Sequence, residues 1–318
     1  MITKQAQRTQ RKDASNYTSI LSCFIKCNGI NVHKKSEHKY EVILKKLLLI
    51  LICFACQVTA QNMMYPWMDN LDAVRMRICD IPPPADFTRV SADSSSFAFW
   101  LRHLPLRQNA STVMLYNGRA KRNQGAHFAI ADIDVGSRNL QQCADAVMRL
   151  YAEYKFSRRF YDDIHFNFTS GDRVDFLQWA GGVRPDVQGN RVTWHRTAEP
   201  DTSYASFRDY LNIVFMYAGS YSLSQEMQRV APAEMRIGDV FIQGGFPGHA
   251  VIVVDTAQKP NGKAAFLLAQ SYMPAQDIHI LKNPQNTDHS PWYLLREGQR
   301  LVTPEWTFSW DDVKRFPK

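Results

Sequence analysis

The chain has 318 residues, 45% of them hydrophobic, with 38 Lys and Arg against 30 Asp and Glu for a net charge of +8. The surplus is local: residues 1–60 hold ten basic and three acidic side chains, so residues 61–318 carry 28 against 27, a net of +1. A balanced charge excludes a bulk electrostatic attraction to nucleic acid, and the length is ample for a large core.

Lys45-Lys46 precedes an apolar run from Leu47 to Cys56, and Val58-Thr59-Ala60 follows it. A positive start, a short apolar stretch and a small final residue predict a signal peptide cleaved after Ala60. The protein is therefore expected to be exported, to a periplasm or the outside. The run is ten residues, short of the roughly 20 that cross a bilayer, so no stable membrane span is expected. Residues 1–43 form a polar extension ahead of the signal, and no Met lies between Met1 and Met63. Either the translation start is set too far upstream or the n-region is long. Four of six cysteines fall in this leader, leaving Cys79 and Cys143, which form a disulfide or stay free. After the leader neither Cys-x-x-Cys nor His-Glu-x-x-His occurs, so neither a metal nor another cofactor is expected.

Residues 61–90 read as an extended strap through Ile81-Pro82-Pro83-Pro84, and residues 91–318 as a single α+β domain. Phe97, Trp100, Leu101 and Leu104 recur at helical spacing after Asp93-Ser94, which predicts a helix over 94–104. Thr112 to Tyr116 and His127 to Ile133 read as paired strands around Asn117-Gly118. A second helix is predicted over 139–154, with Leu140, Cys143, Val147, Leu150 and Tyr154 on one face and an Arg149/Glu153 pair elsewhere on its surface. His165 to Thr169 alternates as a strand, and 181–200 looks like loop. A third helix spans 204–217 and stops at Ala218-Gly219. The aromatic tail from Ser290 closes a core and ends in a short basic amphipathic piece.

The chain is organised around Met235 to Asp255. Two runs rich in β-branched residues flank Gly244-Gly245-Phe246-Pro247-Gly248, a β-hairpin pattern. The second run is apolar on both faces, as in a central strand, and it opens with His249. On a strand, Asp255 shares the face of His249 but lies roughly 20 Å away, too far to orient the ring. Closing a loop over 256–263 with Asp255 opposite Ala264 places Gln270 across from His249, a base beside an orienting amide. Cys143, in the first turns of the second helix, is the candidate nucleophile, favoured there by the helix dipole. It also falls on an apolar stripe, where an inert buried thiol is the ordinary outcome.

Ile237-Gly238-Asp239-Val240-Phe241, Gly248 to Val253, and Phe266 to Gln270 resemble the NlpC/P60-like branch of the papain-like amidases. The resemblance covers 203–273 and implies an antiparallel sheet with packed helices, and a cysteine amidase or peptidase acting on cell-wall peptides. It would place the nucleophile on the 204–217 helix, where this chain has Ser206 and no cysteine, and the third polar residue on Gln270 or Leu268. Across the region after the leader, Leu140 to Ala146, Phe215 to Gly219 and Gly248 to Asp255 resemble a family of uncharacterised secreted bacterial proteins, a domain of unknown function. An inactive relative that binds a peptide or glycan in the same cleft, and a structural envelope protein, are the alternatives. Oligomeric state is not legible.

Overall fold

The computed structural model describes residues 64–68, 76–108, 111–295 and 299–317; the leader read over 1–60 lies outside them. Its main sheet has nine strands, all antiparallel where they pair. In chain order they are β1 (Thr88–Arg89), β2 (His127–Ile130), β3 (Gln228–Arg229), β4 (Val240–Gln243), β5 (His249–Gln258), β6 (Ala264–Gln270), β7 (His279–Leu281), β8 (Tyr293–Leu294) and β9 (Val313–Arg315). The sheet order is β2-β7-β6-β5-β4-β9-β3, with β1 also pairing β5 and β8 pairing β6.

The β5 strand is buried along all but its last residue, as its two-faced apolar pattern requires. Ala250, Ile252 and Val254 enter a core shared with the helices. Val251 and Val253 enter a second core with Phe241, Phe266, Leu268, Phe308 and Val313. The architecture is mixed α+β.

Five α-helices occur among the described residues: α1 (Phe97–Arg102), α2 (Cys143–Ser157), α3 (Phe176–Ala180), α4 (Tyr204–Tyr217) and α5 (Ser220–Glu226). The α4 bounds are those its periodicity predicts. The α1 helix starts later than expected, because Ser96 is its cap and accepts the Phe99 N–H at 3.1 Å. The α2 helix begins at Cys143 rather than 139, because the Asp145 carboxylate accepts the Gln142 N–H at 3.0 Å and sets the cap there. Asn139 turns instead to the Ala275 N–H, at 2.8 Å. The α2 pair Arg149/Glu153 is fully buried at 3.2 Å rather than superficial, with Asp134 and Tyr204 as further partners.

Other expectations fail for local reasons. Residues 112–116 do not pair with β2, which joins β7; the Gln124 side chain brackets the Val113 backbone instead. Residues 183–196 form a hairpin where a loop is expected, because its half-exposed residues carry no period-two apolar signal. The tail contributes β9 to the main sheet.

Register brings the largest correction. Gln258, not Asp255, lies opposite Ala264, so β5 runs three residues further than expected. Carried inward unchanged, that pairing would set Gln270 opposite Ile252, on the wrong face for His249. A bulge between Val253 and Asp255 shifts the register by one and restores Gln270 to the face of His249. The same bulge moves Asp255 to the opposite, helix-covered face, where it pairs with Arg102 at 2.6 Å and Arg89 at 2.7 Å. Replacing Asp255 by Ala leaves the buried Arg102 without its counter-charge and should cost about 3–5 kcal/mol. A urea midpoint unchanged within error would show that the pair is not holding β5 to α1.

Candidate active site

Several segments converge on one cleft of about 930 Å³, among them the start of α2, the end of α4 with the start of α5, the β4–β5 turn with the start of β5, and the residues just after β6. Cys143 and His249 both line it, with Gln142, Tyr272 and Trp306 beside them. Neither Cys79 nor Cys143 is in a disulfide. The turn reaches this position because Gly248 allows close approach; a Cβ there would strike Ser220 Oγ and the Gly245 carbonyl.

Cys143 is the first residue of α2, where unpaired N–H groups and the helix dipole favour a thiolate. Burial opposes them. It pushes the thiol up to about 11, helped by the neighbouring Asp145 and opposed by the N–H groups of Ala144 and Ala250. The Ala250 contribution ties the sulfur to the backbone immediately after His249.

His249 is 1% exposed. Its ring lies 4.8 Å from Tyr272, 5.2 Å from Trp306 and 5.9 Å from Phe308, centroid to centroid. Burial lowers its pKa to about 4, against the opposing hydrogen bond to Gln270. That bond joins His249 Nε2 to Gln270 Oε1 at 2.8 Å. Gln270 Nε2 donates to Glu305 Oε2 at 2.8 Å. A carboxylate only accepts, so Glu305 holds the amide nitrogen on its own side and turns the amide oxygen to the ring. The ring nitrogen facing that oxygen must then carry the proton, which leaves Nδ1 with a free lone pair.

Glu305 is itself braced by Lys121 Nζ at 2.6 Å and Asn123 Nδ2 at 3.2 Å. His279, opposite Gln270 on β7, donates its Nδ1–H to the Asp277 carbonyl at 2.8 Å and is lowered to about 3 by burial and by Lys121. Trp306 is held over His249 by its indole N–H to Gln243 Oε1, at 2.9 Å.

The structure thus brings Cys143, His249 and Gln270 to one place, Gln270 standing behind the histidine. Ser206 is elsewhere: it is buried, takes a bond from the Trp179 indole at 3.2 Å and does not line the cleft. Leu268 is core. Glu305, Lys121 and His279 carry no sequence signal, since 184 positions separate Lys121 from Glu305. Among the described residues no group of three or more His, Cys, Asp or Glu is arranged to hold a metal ion, and no helix is long and apolar enough to cross a membrane.

Fold and cleft together define an α+β protein with a cysteine, a histidine and an amide gathered at one sheet end. The chain belongs to the family described as Domain of unknown function (4846), which matches residues 78–315. No curated protein and no solved structure matches it.

The buried histidines set a pH dependence. The unfolded chain protonates them near 6.5, whereas the folded chain does so at about 4 for His249 and about 3 for His279. Their contribution is present in full above pH 6.5 and is lost as pH falls through that window, because the unfolded state then binds more protons. Their ring resonances should stay at neutral positions down to pH 5 in an NMR titration; a midpoint near 6.5 for either would show a solvated ring.

Proposed function

We propose that the protein is an exported cysteine hydrolase of papain-like type that cleaves an amide bond, with Cys143 as nucleophile, His249 as general base and acid, and Gln270 as orienting group. The observation that carries this is the amide lock: Glu305 turns Gln270 so that His249 keeps an unprotonated Nδ1, in a cleft shared with a thiol at a helix N-terminus. The short Gly-Asp and Gly-His motifs shared with NlpC/P60-like amidases support it, with the nucleophile moved from the α4 position to α2.

In this mechanism Sγ bonds to the substrate carbonyl carbon as its proton passes to His249 Nδ1. The tetrahedral oxyanion faces the N–H groups at the start of α2. Collapse breaks the C–N bond, and Nδ1 returns the proton to the leaving amine. Water, deprotonated by the same nitrogen, then hydrolyses the thioester to a carboxylic acid and restores the thiol. Cell-wall peptide is the substrate the resemblance suggests. Export rests on Lys45-Lys46, the apolar run and Ala60, and N-terminal sequencing of the exported protein should begin at Gln61.

With the thiol at about 11 and the imidazole at about 4, the resting site is a neutral pair. Iodoacetamide should therefore label Cys143 slowly at pH 7, and the rate should rise about tenfold per pH unit up to pH 10. A rate plateau from pH 5 to 8 would instead reveal a preformed thiolate–imidazolium pair. Cys143→Ala should abolish hydrolysis, and His249→Gln should lower kcat/KM by about 10²–10⁴. His249→Ala is a poorer probe, because the enclosed ring also packs. Adding Gln270→Ala to His249→Gln should cause little further loss, since the two act as one unit.

The protonated thiol also favours a second reading, an inactive relative that binds a peptide or glycan in this cleft. Affinity without turnover in the wild-type protein would decide for it.

A further inference from the structure

Seven large hydrophobic side chains are conspicuously exposed among the described residues, and four of them, Met216, Tyr221, Phe246 and Met273, line this one cleft. They come from the end of α4, from α5, from the β4–β5 turn and from the segment after β6. Phe246 is 99% exposed on the turn that leads into His249. Folding does not leave aromatic and thioether side chains clustered in water around a concavity without cost, and such clusters mark binding surfaces.

Charge points the same way. No lining residue is Lys or Arg. The nearby cations are committed elsewhere, Lys121 to Glu305 and Arg208 to Asp134. The one acidic lining residue, Asp145, is 6% exposed and spends one oxygen on the Gln142 N–H; burial raises its pKa well above the carboxylate range. A carboxylate brought into this cleft would lose water and find no counter-charge.

Resting on the hydrolase reading above, we infer that the substrate is a peptide with large apolar side chains flanking the scissile bond, and not a carboxylate-rich cell-wall stem peptide. The rim side chains cover those apolar groups, Met216 and Met273 adapting to their shape as flexible thioethers do. The Asn139, Gln142 and Thr169 side chains in the same lining serve the peptide backbone. A concave site around a thiol and an imidazole suits a peptide better than a flat lipid surface.

The test separates binding from turnover. The full chain carrying Cys143→Ala is titrated with three capped, fluorescent probes: a hexapeptide with Phe-Leu at its centre, the same peptide with Glu-Glu there, and a γ-D-glutamyl stem peptide. The Phe-Leu peptide should bind at least tenfold more tightly than either acidic probe. Adding Phe246→Ser should weaken it about tenfold, leave the acidic probes unmoved and leave the urea midpoint unchanged. Equal or tighter binding of an acidic probe would overturn the inference, as would binding of no probe or an Phe246→Ser variant with unaltered affinity. Adsorption to phosphatidylcholine vesicles that excess Phe-Leu peptide does not compete away would reassign the rim to a membrane and overturn it too. Wild-type protein that binds the apolar peptide without cleaving it removes the hydrolase and keeps the ligand class. Wild-type protein that cleaves only the stem peptide does the reverse.

Discussion

One inserted residue in the central strand decides what the cleft contains. Side chains on a strand alternate with a period of two, so a shift of one position sends a whole set to the opposite face. The hairpin that closes β5 onto β6 would by itself leave Gln270 among the helix-side apolar residues. The bulge after Val253 reverses this, giving His249 its amide and giving Arg89 and Arg102 their carboxylate in the same move. The polar chemistry of both sheet faces hangs on that single irregularity.

Behind the histidine, polarity is organised as a sequence of donors and acceptors with each orientation set by the next. Lys121 and Asn123 hold Glu305, Glu305 holds the Gln270 amide, and the amide holds the ring. Placed in a core of low polarity, such a chain is rigid because any flipped member leaves a buried group unpaired. The aromatic rings around His249 keep water from competing for those bonds. The helix N-terminus that faces this array favours a thiolate, yet desolvation of Cys143 outweighs it, so the site rests uncharged. Any ligand that changes the solvation of the cleft therefore acts directly on the protonation of Cys143 and His249.

Several elements were legible from composition and period alone. The α4 bounds, the hairpin, the doubly buried β5 and the neutral balance of residues 61–318 all follow from local pattern, because apolar periodicity and turn chemistry are properties of neighbouring residues. Cys143, His249 and Gln270 were legible as types, a thiol at a helix start and two polar residues in apolar strands. The hairpin at 183–196 was not, since alternation without burial leaves no mark in the residue types.

What tertiary structure alone decided is how those residues meet. Local sequence sets His249 beside Gln270 only through a loop closure that does not occur; the contact exists because a bulge compensates for a longer strand. Asp255 shares a face with His249 in any regular strand and leaves it in this one. Glu305, Lys121 and His279 are ordinary polar residues until folding sets them around one amide, and the apolar rim is dispersed over four segments. Local sequence determined the strongly periodic segments, α4, the hairpin and β5, because those patterns are made by neighbours. Register, burial and long-range hydrogen bonds determined the site, because they depend on residues far apart in the chain that only the packed sheet brings together.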